Sequence, residues 1–405
     1  MDNRLILSPE ERCPISVLDD VAVVRLSLGE HVVPKTIKKR AKVVEGALVA
    51  SHPEPDVGDL HAPISGVVKE LTATFIEIER EAPAPAGEKA EAAPDDKAGK
   101  GGEAAEAKPV EPVSLDGLDA AALAGKLKEL GVSTAPFTRP CELLIINGLN
   151  PEPGMLYAEE LLFEHKPVLD AGLALARRLS GASRCVLVQS TACFISLEGA
   201  DMRQVAPVYP ASLTCPMIRA ITGREDGSGV SVVRLHALFQ LGLVARSGLP
   251  LTRTVTTAFG GNYLVPLGTP VSVLLERSAQ TLASGDSLIL GGAMRGVAIA
   301  GPNRGIRKED DAVLLLKKNG RPSLEDNPCV SCGACVSACP MRLRPNMLSR
   351  YAEFERYEDC RKEYIDVCIE CGMCGYVCPT CRPMQQLFRM AKASLGLPTY
   401  QRSLR

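Results

Sequence analysis

Tryptophan is missing from all 405 residues, and the aromatic share is only 4%. A chain so poor in flat side chains makes a weak platform for stacking sugars or bases. The first residues, MDNRLILSPEERC, carry acids and no apolar core, unlike a secretory leader. No apolar run approaches the roughly 20 residues that cross a bilayer as a helix. The basic residues form no cluster and the formal net charge is −2, so there is no nucleic-acid footprint. The expectation is a soluble or peripheral protein of the cytoplasm, long enough for two to four domains.

Cysteine is what the chain does have. Eight of its 15 cysteines fall in two short runs, PCVSCGACVSACP (Pro328 to Pro340) and VCIECGMCGYVCP (Val367 to Pro379). Each run has the spacing C-x2-C-x2-C-x3-C-P. A secreted disulfide scaffold would be short and would spread its cysteines, so this pattern reads as metal binding in a reducing compartment. Three thiolates, each separated from the next by two residues, wrap one corner of a cubane cluster. The fourth, before proline, serves the other cluster when two motifs occur together. The expected ligand sets are Cys329, Cys332, Cys335 with Cys378, and Cys368, Cys371, Cys374 with Cys339. Gly333 and Gly372 would let the backbone pass close to sulfide. Structural zinc is the alternative, but it draws on paired knuckles and does not require this spacing twice. Two [4Fe-4S] clusters are therefore expected, close enough to form a wire. Cys13, Cys141, Cys185, Cys193 and Cys215 read as buried or incidental thiols; Cys360 and Cys381 lie near the clusters in sequence, but the eight motif cysteines already complete both sets.

The rest divides by composition. Residues 81–113 are rich in Ala, Pro, Gly, Glu and Lys, which predicts a disordered linker. Before it, VAVVRLSL, VVEGALVA, ISGVVKEL and FIEIER alternate with turn residues, which predicts a small all-β unit over 1–80. This unit resembles the barrel-sandwich hybrid of biotinyl and lipoyl carriers. Its turn offers Ser65 and Gly66 in place of the modified lysine, so a structural barrel is expected. His61 reads as an isolated surface histidine. Residues 114–250 alternate helix and strand, with CELLIING and SRCVLVQS as buried strands, which predicts a Rossmann-like α/β layer. LLFEHKPVLDAGLALARRL reads as one helix. Ligands of such layers bind at the carboxyl ends of strands, which singles out the loop Ile146 to Gly154. Residues 251–312 read as a β-grasp-like unit. Residues 313–405 read as a helical ferredoxin, with connectors MLSRYAEFERYEDCRKEYID and MQQLFRMAKASLG.

This order of parts resembles the C subunit of the Rnf electron-transport complex, the membrane-bound ion-translocating ferredoxin:NAD oxidoreductase. The resemblance is strongest in SCGACVSACPMRLRP and CIECGMCGYVCPTCRPMQQLFRMAK. It extends to VYPASLTCPMIRAITGRE, GLPLTRTVTT, VPLGTPVSVLLE and ILGGAMRGVA. It implies a multidomain α+β chain: a barrel-sandwich hybrid, an α/β domain like the flavoprotein of respiratory complex I, a soluble-ligand-binding β-grasp (SLBB) unit and a twin-cluster ferredoxin. It also implies a peripheral position on the cytoplasmic face of the membrane, beside the complex's membrane subunits. A soluble partner, whether NADH, ferredoxin or a cytochrome, would exchange electrons there.

The family's glycine-rich GxGGAGFPT loop, which brings FMN and NADH against the backbone, stands here as ELGVSTAPFTRP (Glu129 to Pro140). Gly131, Phe137 and Thr138 match, and four side chains from Val132 to Ala135 crowd the rest. The family's acidic NGxExEP loop stands as NGLNPEPG, where Asn147 and Glu152 match and Asn150 replaces an acid. Glu152 reads equally as a cap on the helix beginning at Tyr157. Two readings stay open: an NADH-linked subunit with FMN, or a relay without a nucleotide site.

Overall fold

The computed structural model describes residues 5–8, 11–81, 110–320 and 327–399. The expected linker lies, apart from its ends, outside the described residues. The chain is a mixed α/β, multidomain protein.

The first unit is all β. Its strands are β1 (Ile15–Val17), β2 (Val23–Ser27), β3 (Lys42–Val43), β4 (Leu48–Ala50), β5 (Leu60–His61), β6 (Gly66–Leu71) and β7 (Phe75–Arg80). Four make an antiparallel sheet in the order β2-β7-β6-β3, and β4 pairs with β5. Alternation sets the core: Val24 and Leu26 of β2 point inward with Ile76, Ile78 and Val68. β1 leaves this unit. It pairs in parallel with a later strand, Ile15 opposite Asn262, so residues grouped by sequence with the barrel serve another sheet.

The second unit holds α1 (Ala120–Glu129), β8 (Leu143–Asn147), α2 (Tyr157–Glu164), α3 (Lys166–Ser180), β9 (Arg184–Ser190), β10 (Asp201–Val205), α4 (Thr214–Thr222), β11 (Val230–Arg234) and α5 (Leu235–Ser247). Its strands are all parallel in the order β10-β9-β8-β11. Leu144 and Ile146 of β8 join the core built by α1, α3 and α5. Ile145, between them, joins a second core with Met217 and Ile218 of α4. One period-two strand thus feeds two faces, as a doubly wound sheet requires. The single helix expected over 161–179 is two helices that meet at His165. Pro167 lies in the first turn of α3, where its missing N–H costs nothing, but it could not sit inside a continuous helix.

Helices α3 and α5 cross at bare backbone. A Cβ on Gly172 would strike the Leu238 carbonyl, and one on Gly242 the Val168 carbonyl. Gly242→Ala is expected to lower unfolding free energy by about 1–3 kcal/mol, although alanine is the better helix former. Gly125→Ala in α1, where a Cβ meets open space, is expected to raise it slightly. Denaturant titration of the two variants checks both signs.

The third unit contains β12 (Arg253–Ala258), β13 (Gly261–Pro266), α6 (Val271–Arg277), β14 (Ser287–Leu290), β15 (Val297–Ile299) and β16 (Ala312–Leu316). With β1 they form a six-stranded sheet, β1-β13-β12-β16-β14-β15. The β12–β13 hairpin turns at Phe259 and Gly260, both at positive φ (51° and 88°), the turn whose twist suits a hairpin. The last unit is helical: α7 (Ala334–Ser337), α8 (Pro345–Glu353), α9 (Tyr357–Lys362), α10 (Met373–Tyr376) and α11 (Met384–Ser394). Among the described residues, no helix is long and apolar enough to cross a membrane.

Candidate metal centres

The two cysteine runs fold alike, residue by residue. Ser331 and Glu370, each just before a second cysteine, adopt left-handed backbone (φ 56° and 53°). Gly333 and Gly372, just after it, do the same (φ 78° and 81°). Such alternation curls the chain around a concave centre with its N–H groups turned inward. One helical turn follows in each run, α7 or α10, and carries the third cysteine. Cys339 and Cys378 come next, each followed by proline. Arg342 and Cys381, three residues later, again take positive φ (57° and 48°). Helices α8 and α11 then start at the same offset, at Pro345 and Met384.

The folded repeat gathers the thiols into two cavities. Cys329, Cys332, Cys335 and Cys378 line one, together with Asn346 and Met384. Cys339, Cys368, Cys371 and Cys374 line the other, with Leu348, Gln385 and Phe388. Each cavity takes three cysteines from one run and the fourth from the other. The thiols stand around a space and do not close on a point: among the described residues, no group of three or more His, Cys, Asp or Glu is spaced for a single metal ion. Helix α11 passes both cavities. Met384 and Phe388 are one turn apart, about 6 Å along the axis, and each lines a different cavity. Two four-thiol cavities of this kind fit cubane clusters in donor type and number.

The cavities differ in exposure. Cys332 is exposed, with Val330 beside it 63% accessible, so the outer cavity reaches the surface. Cys371 and Cys374 are buried. Burial pushes the Cys371 thiol up to about 12 and raises Cys374 and Cys368 as well. Thiolates there require a compensating cation, the part that cluster iron plays. At Cys378 burial also opposes ionisation. Hydrogen bonds from the Thr380 hydroxyl and nearby amides, with the Arg382 charge, outweigh it and lower the thiol.

The inner cavity is tied to the rest of the protein. Tyr209 Oη donates to the Cys371 carbonyl at 2.7 Å. Gln385 Nε2 donates to the carbonyls of Met294 (3.0 Å) and Glu370 (2.8 Å). The buried Glu370 carboxylate accepts from Arg389 Nε (3.0 Å) and Lys392 Nζ (3.1 Å). Lys392 also donates to the Cys368 carbonyl at 2.6 Å. The sequence alone does not point to these supports. The acid between two cysteines in CIEC is a signal, but its basic partners stand about 20 residues on.

The expected flavin residues are not brought together. Phe137 is fully buried. Thr138 donates its N–H to the Thr134 carbonyl at 3.1 Å. Gly131 (φ 86°) lies against the first unit. The Thr134 N–H donates to the Asp56 carbonyl at 2.8 Å. Buried Lys308 donates to the carbonyls of Gly58 (2.5 Å) and Gly131 (3.2 Å). The loop that would face a flavin thus faces the barrel. His61 is part of this seam and is 4% exposed, not a surface residue. The packing of β5 against Gly131 encloses it, and burial lowers its pKa to about 4.

Asn147 and Glu152 are elsewhere. Asn147 Nδ2 donates to the Ser212 carbonyl at 2.7 Å. The buried Glu152 carboxylate accepts from the backbone N–H of Met294 (2.8 Å) and Arg295 (3.1 Å) and pairs with Arg295 Nε at 2.9 Å. It does not cap α2. Asn150 does that work, accepting from the Ala158 N–H at 2.9 Å. Asn150 Nδ2 also donates to the Leu7 carbonyl at 2.9 Å. Residues 5–8 therefore lie across the carboxyl ends of β8 and β9, where Leu7 is 2% exposed and Ser8 Oγ reaches Ser190 Oγ at 2.7 Å. These residues do not fit FMN: one set packs on the barrel, and the other is held by Arg295 and Ser212.

A chain with two four-cysteine cavities on one helical repeat is a dicluster iron–sulfur protein, and residues 321–379 match the family model of the 4Fe-4S dicluster domain. The chain is 27% identical over 95% of its length to the C subunit of the ion-translocating oxidoreductase complex of Rhodobacter capsulatus, of which it covers 80%. It is 26% identical over 56% of its length to the C subunit of the proton-translocating ferredoxin:NAD(+) oxidoreductase complex of Clostridium ljungdahlii, and covers 55% of that protein. An NAD+-reducing [NiFe]-hydrogenase crystal structure shares 16% identity, with a TM-score of 0.41 over 68% of this chain and 59% of that one. Over nearly its whole length the chain is similar to C subunits of ion-translocating oxidoreductase complexes, and it carries the 4Fe-4S dicluster domain of an iron–sulfur electron-transfer subunit.

Proposed function

We propose that this subunit is a two-cluster relay that carries electrons between a protein redox partner and the membrane subunits of its complex, without NADH or FMN chemistry of its own. In this reading the outer set (Cys329, Cys332, Cys335, Cys378) and the inner set (Cys339, Cys368, Cys371, Cys374) each ligate one [4Fe-4S] cluster. The clusters supply one-electron redox steps. The chain's own residues hold them in series and set their exposure. The observation that supports the relay is the fate of loop 129–140, which is packed on the barrel. The family's NADH-linked function would need both loops on one flavin.

The finer architecture belongs to the same proposal. A barrel-sandwich hybrid covers 1–80, a complex-I-flavoprotein-like α/β domain 114–250, an SLBB β-grasp 251–312 and a helical ferredoxin 313–405. β1 crosses from the first to the third. The subunit would sit peripherally on the cytoplasmic face of the membrane, and its outer cavity would meet a ferredoxin or cytochrome. Anaerobic reconstitution tests the relay. The expected outcome is iron for two clusters, no stoichiometric flavin and no bleaching on NADH addition. Stoichiometric FMN with bleaching by NADH would establish the NADH-linked reading.

A further inference from the structure

In the α/β sheet the first strand, β8, lies inside the order β10-β9-β8-β11. The chain runs outward one way to β9 and β10, then returns to place β11 on the other side. The switch point is between β8 and β11, and the crevice outside their carboxyl ends is where such sheets bind ligands. A cavity of about 320 Å³ occupies that place. Pro151 and Glu152, after β8, and Arg234, at the end of β11, form its floor. The loops 290–297 and 304–311 of the β-grasp unit close it.

Four arginines line this cavity, and three are paired within it. Arg295 is held by Glu152 at 2.9 Å, Arg234 by Asp311 at 2.7 Å and Arg307 by Asp310 at 3.0 Å. Arg304 is different: its Nε is buried and has no hydrogen-bond partner among the described residues. Arg304 also makes no ion pair among the described residues, so the part of its guanidinium that lines the cavity is a group that an oxyanion would satisfy. Gly291 (φ 85°) also lines the cavity with bare backbone, and Leu290, Val297 and Met155 supply an apolar wall. Glu309 also lines the space, so a ligand that offers a hydrogen-bond donor beside its acidic group suits the site.

We propose that this cavity binds a small molecule bearing one carboxylate or phosphate group, held by Arg304, and that the inner cluster senses its presence. The second part rests on a shared wall. The Gly292–Arg295 turn that faces the cavity also backs the inner thiols: the Met294 carbonyl accepts from Gln385, and a Cβ on Gly372 would meet that carbonyl at 3.1 Å. The site uses no residue of loop 129–140.

Calorimetry on the reconstituted protein, with inorganic phosphate and with succinate as separate probes, tests binding. Saturable binding of one or both is expected, and the stronger probe names the acid class. Arg304→Gln should weaken it at least tenfold and Arg304→Lys less, while Arg203→Gln on the exposed edge strand leaves it unchanged. The midpoint potential of the inner cluster should shift with the probe in the parent and not in Arg304→Gln. No saturable binding of either probe, or binding equal in the parent and both Arg304 variants, overturns the site. Binding without a potential shift overturns the coupling.

Discussion

Replacing Cys378 with serine is expected to remove the cluster built on the first motif and spare the one built on the second. The reason is the exchange of fourth ligands. Cys378 lies in the second run, yet it lines the cavity of Cys329, Cys332 and Cys335. Cys339 lies in the first run, yet it lines the cavity of Cys368, Cys371 and Cys374. Reconstituted Cys378→Ser should hold about half the iron of the parent, and so should Cys332→Ser. The two together should lose no more than either alone, because they strip one cluster. Cys378→Ser combined with Cys339→Ser should lose both. Iron and sulfide assays on the four proteins decide this. Independent motifs would reverse the result for the pair Cys332 and Cys378, which would then strip both clusters.

Glu370→Ala should cost the inner site much of its stability. The carboxylate is buried between Arg389 and Lys392, and Lys392 is 4% exposed. Removing one partner of such a network strands the other charges out of water, at a cost of about 3–5 kcal/mol. The same lysine holds the Cys368 carbonyl, so the loss falls on the loop that carries three inner thiols. Thermal unfolding of the reconstituted protein should move down, and the inner cluster should be lost first to a chelator. Glu353→Ala is the comparison. Here the acid is 33% exposed and the buried Arg382 keeps its bond to the Asn327 carbonyl, so a smaller change is expected.

Local features of this chain are legible in its sequence. Ligand spacing is set within a few residues, so the eight cysteines and their grouping can be read directly from the two runs. The alternation of β2 and the continuous apolar run of β8 are visible for the same reason. Contacts made over long separations are not. Nothing in ISV marks a strand that will lie parallel to residues 262–264, and nothing in LILS marks a segment that will cover Asn150. His61 reads as a surface residue because its burial depends on Gly131, about 70 positions away. Glu152 matches a family motif, but its character comes from Arg295, which motif matching does not see. Proline at 167 does signal the break between α2 and α3; the apolar periodicity running through it is stronger and misleading.

Two adjacent clusters on one helical repeat should act as a single wire. Low-temperature electron paramagnetic resonance of the fully reduced protein tests it most directly, read against Cys378→Ser and Cys339→Ser. Adjacent clusters should give a spectrum broadened by their interaction and integrating to two spins. Each variant should collapse it to one sharper, non-interacting signal, and the two signals should differ. A parent spectrum equal to the sum of the two variants would mean the clusters do not sense each other, and would contradict the wire.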